Sequence, residues 1–149
     1  RQRVSIARTL IMKPKFVVCD EPTSMLDVSI RISIMDLMLN LAKDLEVSYL
    51  YITHDLAVAR YMCNRIAVMF NGKIVEIAET EELLNNPIHP YTKRLISSIP
   101  VPDPSYDRKV YDINFDELES LIDKHGSDSP MIDIGNEHYI ATHDVKGLI

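Results

Sequence analysis

The distribution of apolar and polar positions along the first half of the chain predicts an α/β fold. Residues 4–11 place apolar side chains at helical spacing, and Pro14 ends that pattern. Residues 16–19 are all apolar, which is typical of a strand buried on both faces in a parallel sheet. A helical pattern at 28–45 and a second β-rich run at 47–53 follow. This strand–helix–strand order favours a parallel sheet with flanking helices.

The pattern after residue 64 is that of a hairpin followed by short helices. The dipeptide Asn71-Gly72 separates two apolar runs, 65–70 and 73–78, and predicts a two-residue turn between antiparallel strands. We expect one short helix directly after this hairpin and another that begins after Pro90.

Three closely spaced prolines indicate a domain boundary. Pro100, Pro102 and Pro104 interrupt regular structure because each fixes its backbone and lacks an N–H donor. We therefore predict a domain at residues 1–100 and a small acidic extension, a separate lobe or an appendage, at 101–149. Within the extension the pattern predicts a strand at 109–113, a helix at 115–124 and a short strand near 138–141.

Charge is distributed unevenly along the 149 residues, whose formal net charge is −6. Residues 1–100 carry 12 basic and 11 acidic side chains, whereas residues 101–149 carry 4 basic and 11 acidic ones. The first 15 residues hold five basic side chains and no acidic one, so this start could contact phosphates or nucleic acid. The acidic extension argues against a general polyanion-binding protein.

Glycine and cysteine usage narrows the classes further. No glycine precedes Gly72, which excludes a glycine-rich phosphate loop from the first half of the chain, and the pattern G-x-x-x-x-G-K-[ST] is absent throughout. Cys19 and Cys63 are the only cysteines, so the chain has no disulfide framework and a reducing cytosol is the default compartment. No apolar run is long enough to span a bilayer.

Polar side chains follow both predicted parallel strands where these end. Asp20 and Glu21 come after the first strand, and His54 follows the second. Ligands bind at the carboxyl ends of strands in open α/β sheets, so we expect these residues to meet in one crevice. One carboxylate could hold Mg²⁺ through water and its neighbour could polarise an attacking water. Solvated carboxylates and an ordinary loop histidine remain the alternative interpretation.

Two further polar residues lie between the first strand and the long helix. Ser24 and Asp27 could reach across an interface, or form a polar turn in which Asp27 is the N-cap of the helix. The four remaining histidines lack the paired spacing of metal ligands; they are His89, His125, His138 and His143.

The order and spacing of four segments resembles the second half of an ABC-type ATPase domain, a P-loop NTPase fold. The segments are Arg1-Gln2-Arg3-Val4-Ser5-Ile6-Ala7-Arg8, the apolar strand ending in Asp20-Glu21-Pro22, Thr23-Ser24-Met25-Leu26-Asp27, and Tyr51-Ile52-Thr53-His54-Asp55. Each segment alone is a modest signal, but together they extend over some 55 residues and are highly specific. The family usually has a small residue where this chain has Met25.

The resemblance implies roles for individual residues. Asp20 corresponds to the Walker B aspartate that orders the Mg²⁺ shell, and Glu21 to the adjacent catalytic base. His54 corresponds to the switch histidine that senses the γ-phosphate of ATP. Residues 24–27 correspond to the D-loop, in which Ser24 and Asp27 lie at the interface with a second ATPase subunit, and Arg1 lies near the partner's nucleotide.

The later part of the chain resembles one group within this family. Asn71-Gly72-Lys73-Ile74-Val75-Glu76 resembles the hairpin after the switch region. Two further segments resemble those of oligopeptide/dipeptide importer ATPases: Asn86-Pro87-Ile88-His89-Pro90-Tyr91-Thr92-Lys93-Arg94-Leu95 and, at the end of the extension, Glu137-His138-Tyr139-Ile140-Ala141. With no cysteine beyond Cys63, we expect no iron–sulfur cluster.

This resemblance implies an ATP-hydrolysing subunit on the cytoplasmic face of the membrane. Its partners would be a second ATPase subunit, transmembrane permeases and, indirectly, a solute-binding protein, with ATP and Mg²⁺ as cofactors and no nucleic acid. The family's Walker A loop, Q-loop and signature glycines all fall before Arg1, so we expect the chain to be a C-terminal fragment that is inactive alone.

Two other functions remain open. The chain could belong to a soluble, non-transport ABC ATPase, although residues 86–100 and the acidic extension argue against this. It could also be a non-catalytic regulatory or truncated product, which the missing loops favour. The transported solute, whether a peptide, nickel or a sugar, is not specified by these residues.

Overall fold

The computed structural model describes residues 2–99 and 130–141, and the chain divides into two compact units between Cys63 and Asn64. The first unit contains α1 (Gln2–Leu10), β1 (Phe16–Asp20), α2 (Val28–Leu45), β2 (Ser48–Ile52) and α3 (Leu56–Met62). The strands β1 and β2 pair in parallel, with Phe16 opposite Ser48 and Asp20 opposite Ile52. This arrangement confirms the α/β order and the parallel pairing predicted from the sequence.

The core of the first unit lies on one side of this strand pair. Three residues of α2 are its best-buried members, Ile34, Met35 and Met38. The opposite face of the strands is exposed, and its apolar side chains are Phe16, Val18, Leu50 and Ile52. The prediction of a strand buried on both faces is therefore wrong for this chain.

The second unit contains β3 (Arg65–Phe70), β4 (Lys73–Glu79), α4 (Thr80–Asn85), α5 (Pro90–Ser97), β5 (Met131–Asp133) and β6 (Tyr139–Ala141). Its strands form an antiparallel sheet in the order β3-β4-β6-β5. The turn between β3 and β4 has positive φ at both central residues, 45° at Asn71 and 76° at Gly72, as a tight hairpin requires. Fully buried Val75, Leu83 and Ile140 form its core.

Part of the predicted acidic extension lies in the same sheet as the hairpin. The short strand expected near 138–141 is β6, and it pairs with β4 so that Ile140 lies opposite Glu76. The other elements predicted for the extension, a strand at 109–113 and a helix at 115–124, lie outside the described residues, as does the boundary after residue 100. The division into domains at 1–100 and 101–149 therefore stays a prediction.

Candidate functional site at the ends of two parallel strands

The parallel pairing of β1 and β2 brings the predicted site residues together. The backbone N–H of Glu21 donates to the carbonyl of Ile52 at 3.0 Å, which extends the strand ladder by one residue. Beyond this point the Glu21 Oε1 atom lies 2.7 Å from Nδ1 of His54. Because a carboxylate only accepts, the His54 N–H donates in this contact. The sequence placed these residues in one crevice, and the structure joins them by a direct hydrogen bond.

Glu21 has an unusual backbone conformation at the turn from strand to loop. Its φ is +41°, in the left-handed region that residues with a Cβ rarely adopt. Such a conformation costs roughly 1–2 kcal/mol for an ordinary residue, and strained backbone clusters at functional sites. Side chains of this pair remain open to solvent, 44% exposed for Glu21 and 77% for His54. A ligand in water can therefore reach both groups.

Asp20 and the loop at 23–27 surround this pair. Asp20 is exposed at the end of β1, and the Ser24 hydroxyl donates to the Glu21 carbonyl at 3.0 Å. Asp27 occupies the N-cap position of α2, but its side chain makes no capping hydrogen bond. The expected N-cap contact is therefore wrong in its bonding, although the position is right. Asp27 is exposed.

Two contacts of this unit were missed by the sequence analysis. Asp55 caps α3, because its Oδ1 accepts from the backbone N–H groups of Ala57 at 2.9 Å and Val58 at 3.3 Å. Its Oδ2 lies 3.5 Å from the Arg31 guanidinium. The available signal was an aspartate directly before a helical pattern, which is a preferred N-cap. Arg1 lies outside the described residues, and the structure says nothing of its predicted position.

The donor set at the strand ends fits a cation held mainly through water. Among the described residues, no group of three or more His, Cys, Asp and Glu side chains forms a metal site. Mg²⁺ commonly keeps several waters and takes only one or two carboxylates together with phosphate oxygens. Exposed Asp20 can supply such a contact, whereas the Glu21 carboxylate is already engaged by His54.

Partial burial affects the ionisation of groups behind the site. Burial raises the pKa of the Cys19 thiol and of the Tyr51 hydroxyl above their usual values. The Thr23 side chain, which is hydrogen-bonded to Tyr51, lowers the pKa of Tyr51 by a smaller amount. Both groups are therefore neutral at physiological pH.

The second unit holds another carboxylate–histidine pair that the sequence analysis did not anticipate. Oε1 of Glu76 lies 2.7 Å from Nε2 of His138, and both side chains are buried. The Glu76 carboxylate also accepts from two backbone N–H groups, Ile88 at 2.8 Å and His89 at 3.0 Å. One carboxylate thus binds the segment before α5 and the segment before β6.

Comparison with known proteins identifies the group to which these features belong. Residues 75–122 match the family model described as the oligopeptide/dipeptide transporter, C-terminal region. The oligopeptide transport ATP-binding protein AmiF of Streptococcus pneumoniae is 49% identical over 145 residues, which cover 94% of this chain and 45% of that protein. The chain belongs to the oligopeptide/dipeptide group of ABC transporter ATP-binding proteins. It corresponds to their C-terminal part.

Further relatives of this ABC group agree with the assignment. The dipeptide transport ATP-binding protein DppF of Lactococcus lactis is 46% identical over the whole chain, which covers 47% of that protein. The crystal structure of MJ1267, an ATP-binding cassette of an ABC transporter in its ADP conformation, matches 58% of this chain and 35% of its own with a TM-score of 0.51 and 29% identity. The chain spans less than half the length of the curated relatives it matches.

Within residues 2–99 and 130–141, no helix is both long enough and apolar enough to cross a bilayer.

Proposed function

We propose that this chain supplies the Walker B, D-loop and switch segments of an ATPase subunit that powers import of peptides or related solutes. The observation that carries the proposal is the exposed hydrogen bond between Glu21 and His54 at the ends of two parallel strands. These residues occupy the positions that the ABC family uses for its catalytic base and its switch histidine.

Each site residue has a distinct task in this proposal. Glu21 accepts a proton from the attacking water, and its contact with His54 fixes the direction of the carboxylate. The same contact occupies Nδ1 of His54 and leaves the Nε2 edge of the ring open to a ligand, where it can donate to a phosphate oxygen when both ring nitrogens carry a proton. Mg²⁺, when bound, neutralises phosphate charge, and Asp20 is the residue that would hold its water shell.

The remaining machinery comes from outside this chain. Phosphoryl transfer depends on phosphate-binding backbone amides and a lysine, and no such loop occurs in the sequence. We therefore expect a complete subunit to bind ATP at an interface with a second ATPase subunit, where Ser24, Asp27 and Arg1 face the partner. Closure of the two ATPase subunits would act on the membrane permeases from the cytoplasmic side, and a solute-binding protein would deliver the solute.

A substitution at Glu21 tests the catalytic assignment. In the complete subunit, Glu21→Gln should lower ATP hydrolysis by about 10²-fold or more, because the amide cannot accept the proton, and should trap an ATP-bound dimer. The matched control is Glu46→Gln, since Glu46 is also exposed and also has a positive φ, of 53°, but ends α2 away from the strand tips. Unchanged turnover in Glu21→Gln would contradict the proposal.

The chain alone should lack ATPase activity and should associate through its uncovered strand face. The exposed apolar side chains of β1 and β2 form a patch, and such patches bind dyes and other chains. We expect no turnover above buffer, strong binding of an apolar dye and concentration-dependent association. Robust hydrolysis by the purified chain, or a sharp two-state melt without dye binding, would contradict this part of the proposal.

A further inference from the structure

A pair of hydroxyl groups joins the two chain segments that carry the exposed Glu21–His54 contact. The Thr23 Oγ1 atom and the Tyr51 hydroxyl are 3.0 Å apart, and Thr23 is only 4% exposed. Tyr51 is half-buried on β2. Either hydroxyl can donate to the other, so the bond needs no ionised group.

This hydroxyl pair connects the two segments that carry the site. Thr23 comes two residues after Glu21, and Tyr51 comes three residues before His54. Within the described residues, the backbone link between these two segments beyond β1 is the bond from the Glu21 N–H to the Ile52 carbonyl. On its other side the same loop is held by Gln2, whose amide donates to the Pro22 carbonyl at 2.6 Å. The loop that contains the strained turn at Glu21 is thus held by two contacts, the Thr23–Tyr51 hydrogen bond and the Gln2–Pro22 hydrogen bond.

We propose that Tyr51 is a positioning residue, which acts through Thr23 to hold the Glu21 carboxylate at hydrogen-bond distance from His54. The proposal rests on the catalytic role proposed for Glu21. Its physical basis is that a left-handed backbone at Glu21 persists only where surrounding contacts over-determine it. Without the Tyr51 hydroxyl, the Thr23 hydroxyl is left buried and without this partner, which favours rearrangement of the loop.

The same strand offers a matched control. Tyr49 lies two residues before Tyr51 on β2, so both side chains point to the same face. The Tyr49 hydroxyl is buried and has no hydrogen-bond partner among the described residues. Substituting either tyrosine by phenylalanine removes one oxygen from the same strand, but only the change at residue 51 removes a link to the site.

The first test measures steady-state ATP hydrolysis in the complete subunit. We expect Tyr51→Phe to lower kcat about tenfold, as loss of one buried hydrogen bond allows, with KM for ATP changed less than about twofold. Thr23→Val should have the same effect, whereas Thr23→Ser, which keeps a hydroxyl group, should retain most of the activity. The double variant Tyr51→Phe/Thr23→Val should be no slower than either single variant, because both remove the same hydrogen bond. Tyr49→Phe should stay within about twofold of the parent protein.

The second test follows the ring nitrogens of His54 by long-range ¹H–¹⁵N NMR spectroscopy. The Nδ1 shift reports its hydrogen bond to Glu21, so it should move in Tyr51→Phe and Thr23→Val and remain in place in Tyr49→Phe and Thr23→Ser. If Tyr51→Phe behaves like Tyr49→Phe in both measurements, the positioning role is wrong.

The two proposals fail differently. Unchanged hydrolysis in Glu21→Gln would refute the catalytic role of Glu21, while the NMR shift would still decide whether Tyr51 orients the pair. Loss of hydrolysis in Glu21→Gln together with normal kcat in Tyr51→Phe would refute only the positioning role. If Tyr51→Phe fails to fold by circular dichroism, the comparison of Thr23→Ser with Thr23→Val decides.

Discussion

The two units each hold a glutamate–histidine pair with the same oxygen–nitrogen distance, 2.7 Å, in opposite surroundings. In the first unit, Glu21 and His54 are 44% and 77% exposed. In the second, Glu76 and His138 are 0% and 2% exposed. The same two residue types at the same distance therefore lie in different surroundings, and they also differ in which other groups contact the carboxylate.

The contacts of the buried pair leave no acceptor for a ligand. Both carboxylate oxygens of Glu76 accept backbone N–H groups, one from Ile88 and one from His89, in addition to the His138 contact. Within the described residues the Glu21 carboxylate contacts His54, and its side chain is 44% exposed. A satisfied buried carboxylate stabilises a fold, whereas an exposed and partly satisfied one remains open to chemistry.

The largest effect should come from removing the buried carboxylate. Glu76→Ala leaves two backbone N–H groups and His138 without their acceptor, and loss of a buried carboxylate that accepts several hydrogen bonds costs about 3–5 kcal/mol. We expect the free energy of unfolding of the second unit, measured by urea titration, to fall by this amount. The control is Glu79→Ala, because Glu79 is exposed at the end of the same strand, β4. A loss below about 1 kcal/mol for Glu76→Ala would show that the pair does not hold the fold.

A smaller loss should follow from changing the histidine of the same pair. His138→Leu removes one of three donors to Glu76 and should cost about 1–3 kcal/mol, with much of the loss recovered in His138→Gln, which keeps an N–H donor. Hydrogen exchange at the amides of β6 is the measurement, since His138 directly precedes this strand. Equal protection of β6 in the parent protein and His138→Leu would contradict the proposed link.

The exposed pair should contribute much less to stability. We expect His54→Ala to change the free energy of unfolding by no more than about 1 kcal/mol, since exposed ion pairs are weak and screened by salt. In the complete subunit the same substitution should nevertheless lower ATP hydrolysis. A destabilisation comparable to that of Glu76→Ala would remove the contrast between the two pairs.

The smallest effect concerns the half-buried thiols. Burial raises the pKa of both Cys19 and Cys63, so at pH 8 each should react with iodoacetamide more slowly than a free thiol does. Folding favours the neutral thiol. The stability that each thiol contributes is therefore fully present below the pKa of the unfolded chain and is lost as the pH rises through the higher pKa of the folded chain. Mass spectrometry measures the rate of alkylation. A rate equal to that of glutathione would show that both thiols are freely accessible, which would contradict this prediction.

Sequence patterns predicted the site better than its surroundings. Asp20, Glu21 and His54 could be brought together because parallel strands end at one edge of a sheet, and this depends only on local patterns. The exposed face of β1 and β2 could not be predicted, because an apolar run does not specify how many elements cover it. The missing capping bond of Asp27 and the positive φ of Glu21 could not be predicted either, because both depend on the conformation of the loop and not on the residue types.

The buried pair could not be predicted for a different reason. Glu76 and His138 are separated by 62 residues and meet only because β6 pairs with β4. A lone histidine near the end of an acidic segment carries no signal of a buried partner. The hairpin, by contrast, could be predicted from local sequence, because the dipeptide Asn71-Gly72 lies directly between two apolar runs.

The position of β6 imposes an order of events on synthesis. Translation proceeds from the N-terminus, so β3, β4 and the two short helices leave the ribosome before His138 has been made. Until then the Glu76 carboxylate must stay hydrated or rely on its backbone partners alone. The nascent sheet also keeps an open edge at β4, which can pair with a strand of another chain until β6 covers it. Completion of this unit is thus a late event in the synthesis of the chain.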